Sequence, residues 1–388
     1  MQQIKCLTSL RFFAAAMIVA FHSVNAFGVG DNTKIPFPLA QGVSFFFVLS
    51  GFILTCVYPS LSTDHRITDF YVARVARIWP AHFLAFLLLL LLIPSGGWVW
   101  NGSWEVVAAN LLLVHGWIPS ASYYFSFNGV SWSISTEVFF YLVFPFLIYR
   151  LDRSWWWKLL CTAAFVVAIL RLTDFLSLPP YDPSKPSAIT AHGLAYISPL
   201  VRILEFVWGM AVASLCLRWR ELKIVALPAW LWTIFESGTL LVTFLSGWYG
   251  TQFLSSLFDG RSQYAFAVYV GACGSFPAFG LLIGVLSFER GVVSRLLSAS
   301  WLVLLGEISY SIYLVHWTLI HWYNLNGSLF VSAPKAMLYV AYWLAVLSIS
   351  FIIWRVVEKP CQRWIRSRFG SKRDAMPMIV SIPRVINS

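Results

Sequence analysis

The chain of 388 residues is 59% apolar and only 11% charged, where an ordinary soluble domain carries about a quarter charged residues. A soluble globule, a disordered chain and a collagen-like fibre are excluded, and what remains is a protein that uses the bilayer as its solvent. The net charge of +11 then points to basic cytoplasmic loops before nucleic acid, which position along the chain can test.

Runs long enough to cross a hydrocarbon core of about 30 Å fall near residues 8–28, 42–58, 79–93, 136–150, 158–172, 202–217, 224–246, 264–286, 301–321 and 336–357. The fold class expected is therefore an all-α polytopic membrane protein with about ten spans. An eleventh apolar run at 105–117 is short for a crossing and suits a re-entrant or interfacial helix. With that run non-spanning and the N-terminus inside, all but six of the 27 lysines and arginines fall on the inner side. The exceptions are Lys34, Arg171, Lys185, Arg202, Arg261 and Lys335. The positive-inside rule then places both termini in the cytoplasm. None of the six cysteines falls in an expected outer loop, so no disulfide is expected. The first apolar run lacks a clear small-residue cleavage site and is taken as a retained span.

Titratable groups inside spans are costly, which makes them functional candidates. In LTSLRFFAAAMIVAFHS, Arg11 and His22 are eleven residues apart, about 16 Å of helical rise, and within roughly 20° of the same face. Arg11 falls near the inner interface and His22 in the outer half of the membrane; a structural, hydrogen-bonded histidine is the alternative for His22. In the inner loop RITDFYVARVARIWP, Arg74 and Arg77 share a helical face. They are placed either to clamp phosphates or simply to set topology. Ser133 and Glu137 open the fourth span four residues apart, as helix capping residues or as a hydroxyl and a carboxylate that orients a histidine. The outer loop from Thr173 to Val201 contains LPPYDPSKP and is extended or turn-like, a lid, an acceptor-binding loop or a plain connector. His316, in SYSIYLVHW, lies at a predicted depth similar to that of His22 and either lines the site or is structural. The basic tail from Ser367 lacks a helical period and is expected to be disordered. The pattern is a cytoplasmic anion clamp, a polar line through the membrane and a base near the outer face.

These residues sit in segments that resemble the acyltransferase-3 family of bacterial integral-membrane O-acyltransferases over nearly the whole chain. The marks are Leu7 to His22 with its Arg-x10-His spacing, GVSFFFVLSGFILT at 42–55, ARVARIWPAHF at 73–83, SWSISTEVFFYLVFPF at 131–146, LGEISYSIYLVHW at 305–317 and VVEKPCQRW at 356–364. The chain departs from the pattern at Thr8 and Ser44, where many members carry acidic residues, and at Val138, where others have a second Glu. The E-V-F-F-Y form is closest to members that modify exopolysaccharides.

The resemblance implies a membrane domain over 1–366 and a tail over 367–388. It implies acyl-CoA, most often acetyl-CoA, as donor substrate, with no permanently bound cofactor and no metal. The acceptor would be a hydroxyl of a cell-surface glycan or its lipid-linked precursor at the outer face of the bacterial inner membrane. By position, His22 is the catalytic histidine with Glu137 as its orienting or charge-balancing carboxylate, and Arg11, Arg74 and Arg77 bind the donor. Ser133, His316 and Ser50 take substrate-contacting or supporting roles. Membrane lipids are expected partners and nucleic acid is not. A small hydrophobic or lipid acceptor is the alternative within this chemistry. A proton-coupled transporter is the alternative from another class, although inverted repeats and paired broken helices are not visible.

Overall fold

The computed structural model describes residues 4–31, 35, 37–61, 64–99, 102–221, 227–258 and 263–370. Backbone groups in hydrocarbon must be satisfied within their own segment, so a chain of this composition crosses as helices. Among the described residues the only strand-like pairing is an isolated bridge between Ser120 and Ile189. Among the described residues seven helices are long and apolar enough to span, and a bent pair counted as one span raises the number to eight. The expected count of ten is not confirmed. The expected runs at 136–150 and 158–172 do form helices, Trp132–Ile148 and Leu151–Phe175, without adding to that number. The first has 17 residues, about 26 Å of rise against a core of about 30 Å.

The helices used below are α1 (Lys5–Ala26), α2 (Gly42–Val57), α3 (Asp64–Leu92), α4 (Trp104–Leu111), α5 (Trp132–Ile148), α6 (Leu151–Phe175), α7 (Pro199–Glu221), α8 (Ser300–Glu307), α9 (Ser309–Leu325), α10 (Lys335–Ile353) and α11 (Lys359–Phe369). Helix α4 has 8 residues, far too few to cross. Left-handed backbone at Leu113 (φ 57°) and Phe127 (φ 56°) turns the chain around it, so the run at 105–117 folds without spanning. Large apolar side chains face outward, with Leu91 81%, Trp104 80% and Phe175 83% exposed. In water such a surface would aggregate, but in lipid it is ordinary solvation.

Helices α2 and α7 make the most extensive helix pair, and two glycines permit it. A Cβ on Gly51 would strike the Phe206 carbonyl, and one on Gly209 would strike the Val48 carbonyl. Small residues let backbones approach closely where lipid offers no hydrophobic driving force between helices. Arg202, counted on the outer side at the start of the 202–217 run, lies inside this pair and is fully buried. Its Nε is 2.9 Å from Glu205 Oε2, one helical turn on, and its Nη2 donates to Ser44 Oγ at 3.1 Å. The rings of Phe47, Trp132 and Tyr196 surround the guanidinium at 5.1, 5.8 and 5.0 Å. An ion pair with a hydrogen bond and aromatic faces is what makes burial of that charge tolerable.

Helices α8 and α9 form a pair bent by 57°, and α1 packs along both halves. Close contact at the break again needs a glycine, since a Cβ on Gly306 would meet the Thr8 carbonyl. The Thr173–Val201 segment ends α6 and returns over the bundle. Ser120 Oγ and the Ser122 amide both donate to the Pro186 carbonyl, at 3.0 and 2.7 Å, which ties the loop to the segment after α4. Within the loop, hydrogen bonds from the Ser184 amide and hydroxyl hold the Asp182 carboxyl below its usual range. The six cysteines are free thiols. Helix α11 continues to Phe369, past the boundary expected at 366. The rest of the expected tail, 371–388, and Lys34 and Arg261, expected on the outer side, lie outside the described residues.

Candidate functional site

Two polar groups occupy different levels of the bundle, and α1 and α5 each contribute a residue to both. At the first level His22, half-buried on α1, meets His316, buried on α9. His22 Nδ1 and His316 Nε2 are 3.0 Å apart. His316 Nδ1 lies 3.3 Å from the Ile312 carbonyl, one turn back on its own helix. A carbonyl only accepts, so Nδ1 of His316 carries the hydrogen and, in the neutral ring, Nε2 is left to accept. Nδ1 of His22 then donates, which leaves Nε2 of a neutral His22 with its lone pair. The His22 ring is held edge-on against Trp317 at 4.9 Å and Phe21 at 5.2 Å.

His22 lines a cavity of about 230 Å³ whose other walls include Trp132, Tyr181, Tyr196, Tyr313 and Trp317. Tyr181 comes from the Thr173–Val201 loop, which therefore forms part of the cavity wall and is more than a connector. No Asp, Glu, Lys or Arg is among the described residues that line the cavity. Ser133 is buried at its edge. Its Oγ is 2.7 Å from Tyr313 Oη, and both hydroxyls reach the Val130 carbonyl, at 3.1 and 2.8 Å. The helix cap is Ser131, without a side-chain cap bond, so capping does not explain Ser133.

The second level holds the other candidates. Glu137 Oε1 accepts from Ser50 Oγ at 3.3 Å and from Tyr141 Oη at 2.5 Å. Arg74 lies over the rings of Tyr58, Phe70 and Tyr141 at 5.7, 5.8 and 5.6 Å and in the field of Glu137. Arg11 stands among Arg77, Glu137, Glu358 and Tyr141. Glu358 accepts a hydrogen bond from Ser311 Oγ and faces Arg77 and Arg11. Tyr310 Oη donates to the Ile78 carbonyl at 3.0 Å, which pins the bent pair to α3.

The site residues expected from the sequence thus separate into two sets. His22, His316 and Ser133 belong to the aromatic cavity, while Arg11, Arg74, Arg77, Glu137 and Ser50 belong to the arginine cluster. His22 Nδ1 meets His316, whereas Glu137 has its hydrogen bonds from Ser50 and Tyr141. Glu137 lies one turn beyond Ser133 on α5, and that turn carries its carboxylate to the level of the arginines. Sequence reasoning missed Tyr313, Tyr141, Tyr310 and Glu358. The tyrosines sit within apolar runs where they pass as packing residues. Glu358 lay within a quoted motif, VVEKPCQRW, and a carboxylate at the end of a span was the available signal.

Residues 4–355 match a family described as an acyltransferase domain, acyltransferase-3. Among characterised relatives, the chain is 32% identical to the acyltransferase MdmB of Streptomyces mycarofaciens, with 93% of this chain and 92% of the relative covered. It is 24% identical to nodulation protein 10 of Rhizobium leguminosarum bv. viciae, with 94% of each covered. It is 28% identical to the exopolysaccharide production protein ExoZ of Rhizobium meliloti (strain 1021), over 85% of this chain and 91% of that protein. No solved structure matches it. The family match contains His22, His316 and the Arg74 to Arg77 segment in one continuous region, and the chain belongs to the acyltransferase-3 family of membrane acyltransferases.

Proposed function

We propose that this acyltransferase moves an acyl group, most often acetyl, from acyl-CoA to a hydroxyl of a cell-surface polysaccharide or its lipid-linked precursor, with His22 as general base. The observation that carries the reading is the 3.0 Å contact of His22 with His316 at the wall of the aromatic cavity. It leaves one His22 nitrogen free to take a proton from a hydroxyl in the cavity. The hydroxyl oxygen attacks the thioester carbonyl, the C–O bond forms, the C–S bond breaks, and the proton ends on the departing CoA thiolate. His316 holds the His22 tautomer and the orientation of its ring.

Arg74, Arg77 and Arg11 bind the phosphates of the donor, and its pantetheine arm runs along α1 toward His22. That helix separates Arg11 from His22 by about 16 Å, a distance suited to a long, thin carrier. Glu137 and Glu358 keep the cluster from being bare positive charge when no donor is bound. The excess of Lys and Arg in the loops on the arginine side and at the C-terminus supports placing that side and both termini in the cytoplasm, with the cavity toward the outer face of the inner membrane.

A glycan acceptor fits a cavity of aromatic walls without charged side chains, and the name of the ExoZ relative points the same way. Membership of an acyltransferase family weighs against the transporter reading. The test is to supply purified protein with acetyl-CoA and a surface-glycan fraction. Thiol release that requires the glycan, together with a gain of acetyl mass on it, is the expected result. Thiol release independent of any acceptor, or no release with any hydroxyl acceptor, contradicts the proposal.

A further inference from the structure

Helix α11 begins after the family match ends at residue 355, yet it packs against α3, the helix of Arg74 and Arg77. It begins firmly anchored: Lys359 Nζ is 3.3 Å from Glu307 Oε2 and 3.7 Å from the Trp354 ring centre. Its outer face shows Trp364 and Phe369, 63% and 59% exposed, as an amphipathic helix at a membrane interface does. Arg363 and Arg368 are exposed as well, whereas Arg366 is half-buried. The groups whose fields act on Arg366 are Arg74, Tyr58 and Arg77. The Nε atoms of Arg74 and Arg366 are both buried without a hydrogen-bond partner.

An arginine free to snorkel would turn its guanidinium to water or lipid headgroups and away from two other cations. Like charges drawn together, with buried donors that no protein group takes up, match an anion. Guanidinium groups match phosphate oxygens as paired donors, and charge-assisted bonds of this kind are the strong ones. We propose that Arg366 is a third arginine of the donor's anion site and closes with Arg74 and Arg77 around a phosphate of CoA. The inference rests on the reading above that acyl-CoA is the donor.

The shared ligand chemistry is a phosphate group, which a CoA molecule or an anionic lipid can supply, and the experiment separates the two. Free CoA is titrated calorimetrically into the full-length protein, wild type and variants, in nanodiscs of phosphatidylcholine alone and of phosphatidylcholine with phosphatidylglycerol. R366Q is expected to weaken CoA binding about tenfold in both discs. R366K should recover part of the loss, and R363Q, on the same helix but exposed, should bind CoA as wild type does. Co-purified phosphatidylglycerol that falls in R366Q, with CoA affinity unchanged in lecithin discs, assigns the site to lipid and overturns the inference. Equal CoA affinity in wild type and R366Q without lipid loss also overturns it while leaving the donor reading intact. Failure of wild type to bind CoA overturns both.

Discussion

His22 Nδ1 and His316 Nε2 stand 3.0 Å apart, and the Ile312 carbonyl on the far side of His316 sets the direction of the hydrogen bond. One ring is buried and held by its own helix, and it directs which nitrogen of the other is left for the cavity. Hydrogen-bond partners of this kind fix tautomer and ring orientation for metal-bound histidines, where their loss is felt at the level of 10–100-fold. Replacing His316 by Ala should therefore lower kcat about 10- to 100-fold with little change in KM for either substrate. His316→Gln, whose side-chain oxygen reaches the Nε2 position and can accept from His22, should restore part of the rate. Steady-state kinetics on the three proteins checks this, and equal kcat for wild type and His316→Ala removes the pair from the mechanism.

The separation of Glu137 from His22 leads to a different outcome for that residue. Glu137 accepts from Ser50 and Tyr141 and stands among Arg11 and Arg74. Glu137→Gln should shift the apparent KM for acetyl-CoA several-fold while the rate at saturating donor changes little. A loss of kcat comparable to that of a His22 variant, with KM unchanged, would return Glu137 to the histidine.

Arg74→Ala combined with Arg77→Ala should raise the KM for acetyl-CoA by at least about tenfold, since each charge-assisted contact to phosphate contributes about 1.5–3 kcal/mol. The same variant should use the acceptor with unchanged KM. Donor dependence equal to wild type removes both arginines from the clamp.

The buried pair Arg202 and Glu205 offers a test of stability. Arg202→Met leaves the Glu205 charge without its partner and should cost about 3–5 kcal/mol. The double replacement Arg202→Met with Glu205→Leu should recover most of the loss. Thermal unfolding in detergent provides the comparison. A double variant no more stable than Arg202→Met shows that the arginine acts through its rings and Ser44 more than through its ion partner.

At the α2 and α7 contact, Gly51→Val places a methyl-bearing carbon against the Phe206 carbonyl, where neither backbone can yield. Overpacking of this kind costs typically about 1–3 kcal/mol, so a lower unfolding temperature is expected. Gly238→Ala, where a Cβ meets nothing, is the control and should unfold as wild type does.

Much of this was legible in the sequence because bilayer chemistry is unforgiving. A charge or imidazole in an apolar run needs a reason, and that rule alone picked out Arg11, His22, Glu137 and His316. The Arg11 to His22 spacing gave a correct picture of one helix serving two levels. Helix periodicity describes one element at a time, however, and pairing across helices is a tertiary fact. The sequence therefore offered Glu137 as a partner for His22 when the bend between α8 and α9 delivers His316 there. It also counted Arg202 as one more basic residue at the outer start of a span, because nothing along the chain announces three aromatic rings and a carboxylate closing around it. The span count suffered for a related reason: apolar runs mark helices, but Trp132–Ile148 is short, and a bent pair counts as one span or as none.

In the proposed mechanism His22 takes the proton of the acceptor hydroxyl. The most direct test of that step is the rate of acceptor-dependent CoA release by purified His22→Ala, set beside wild type of the same fold and insertion as judged by circular dichroism and detergent gel filtration. A fall of at least about 100-fold is expected, with acetyl-CoA binding retained if the donor's phosphates sit at the arginine cluster as proposed. Release at the wild-type rate contradicts it.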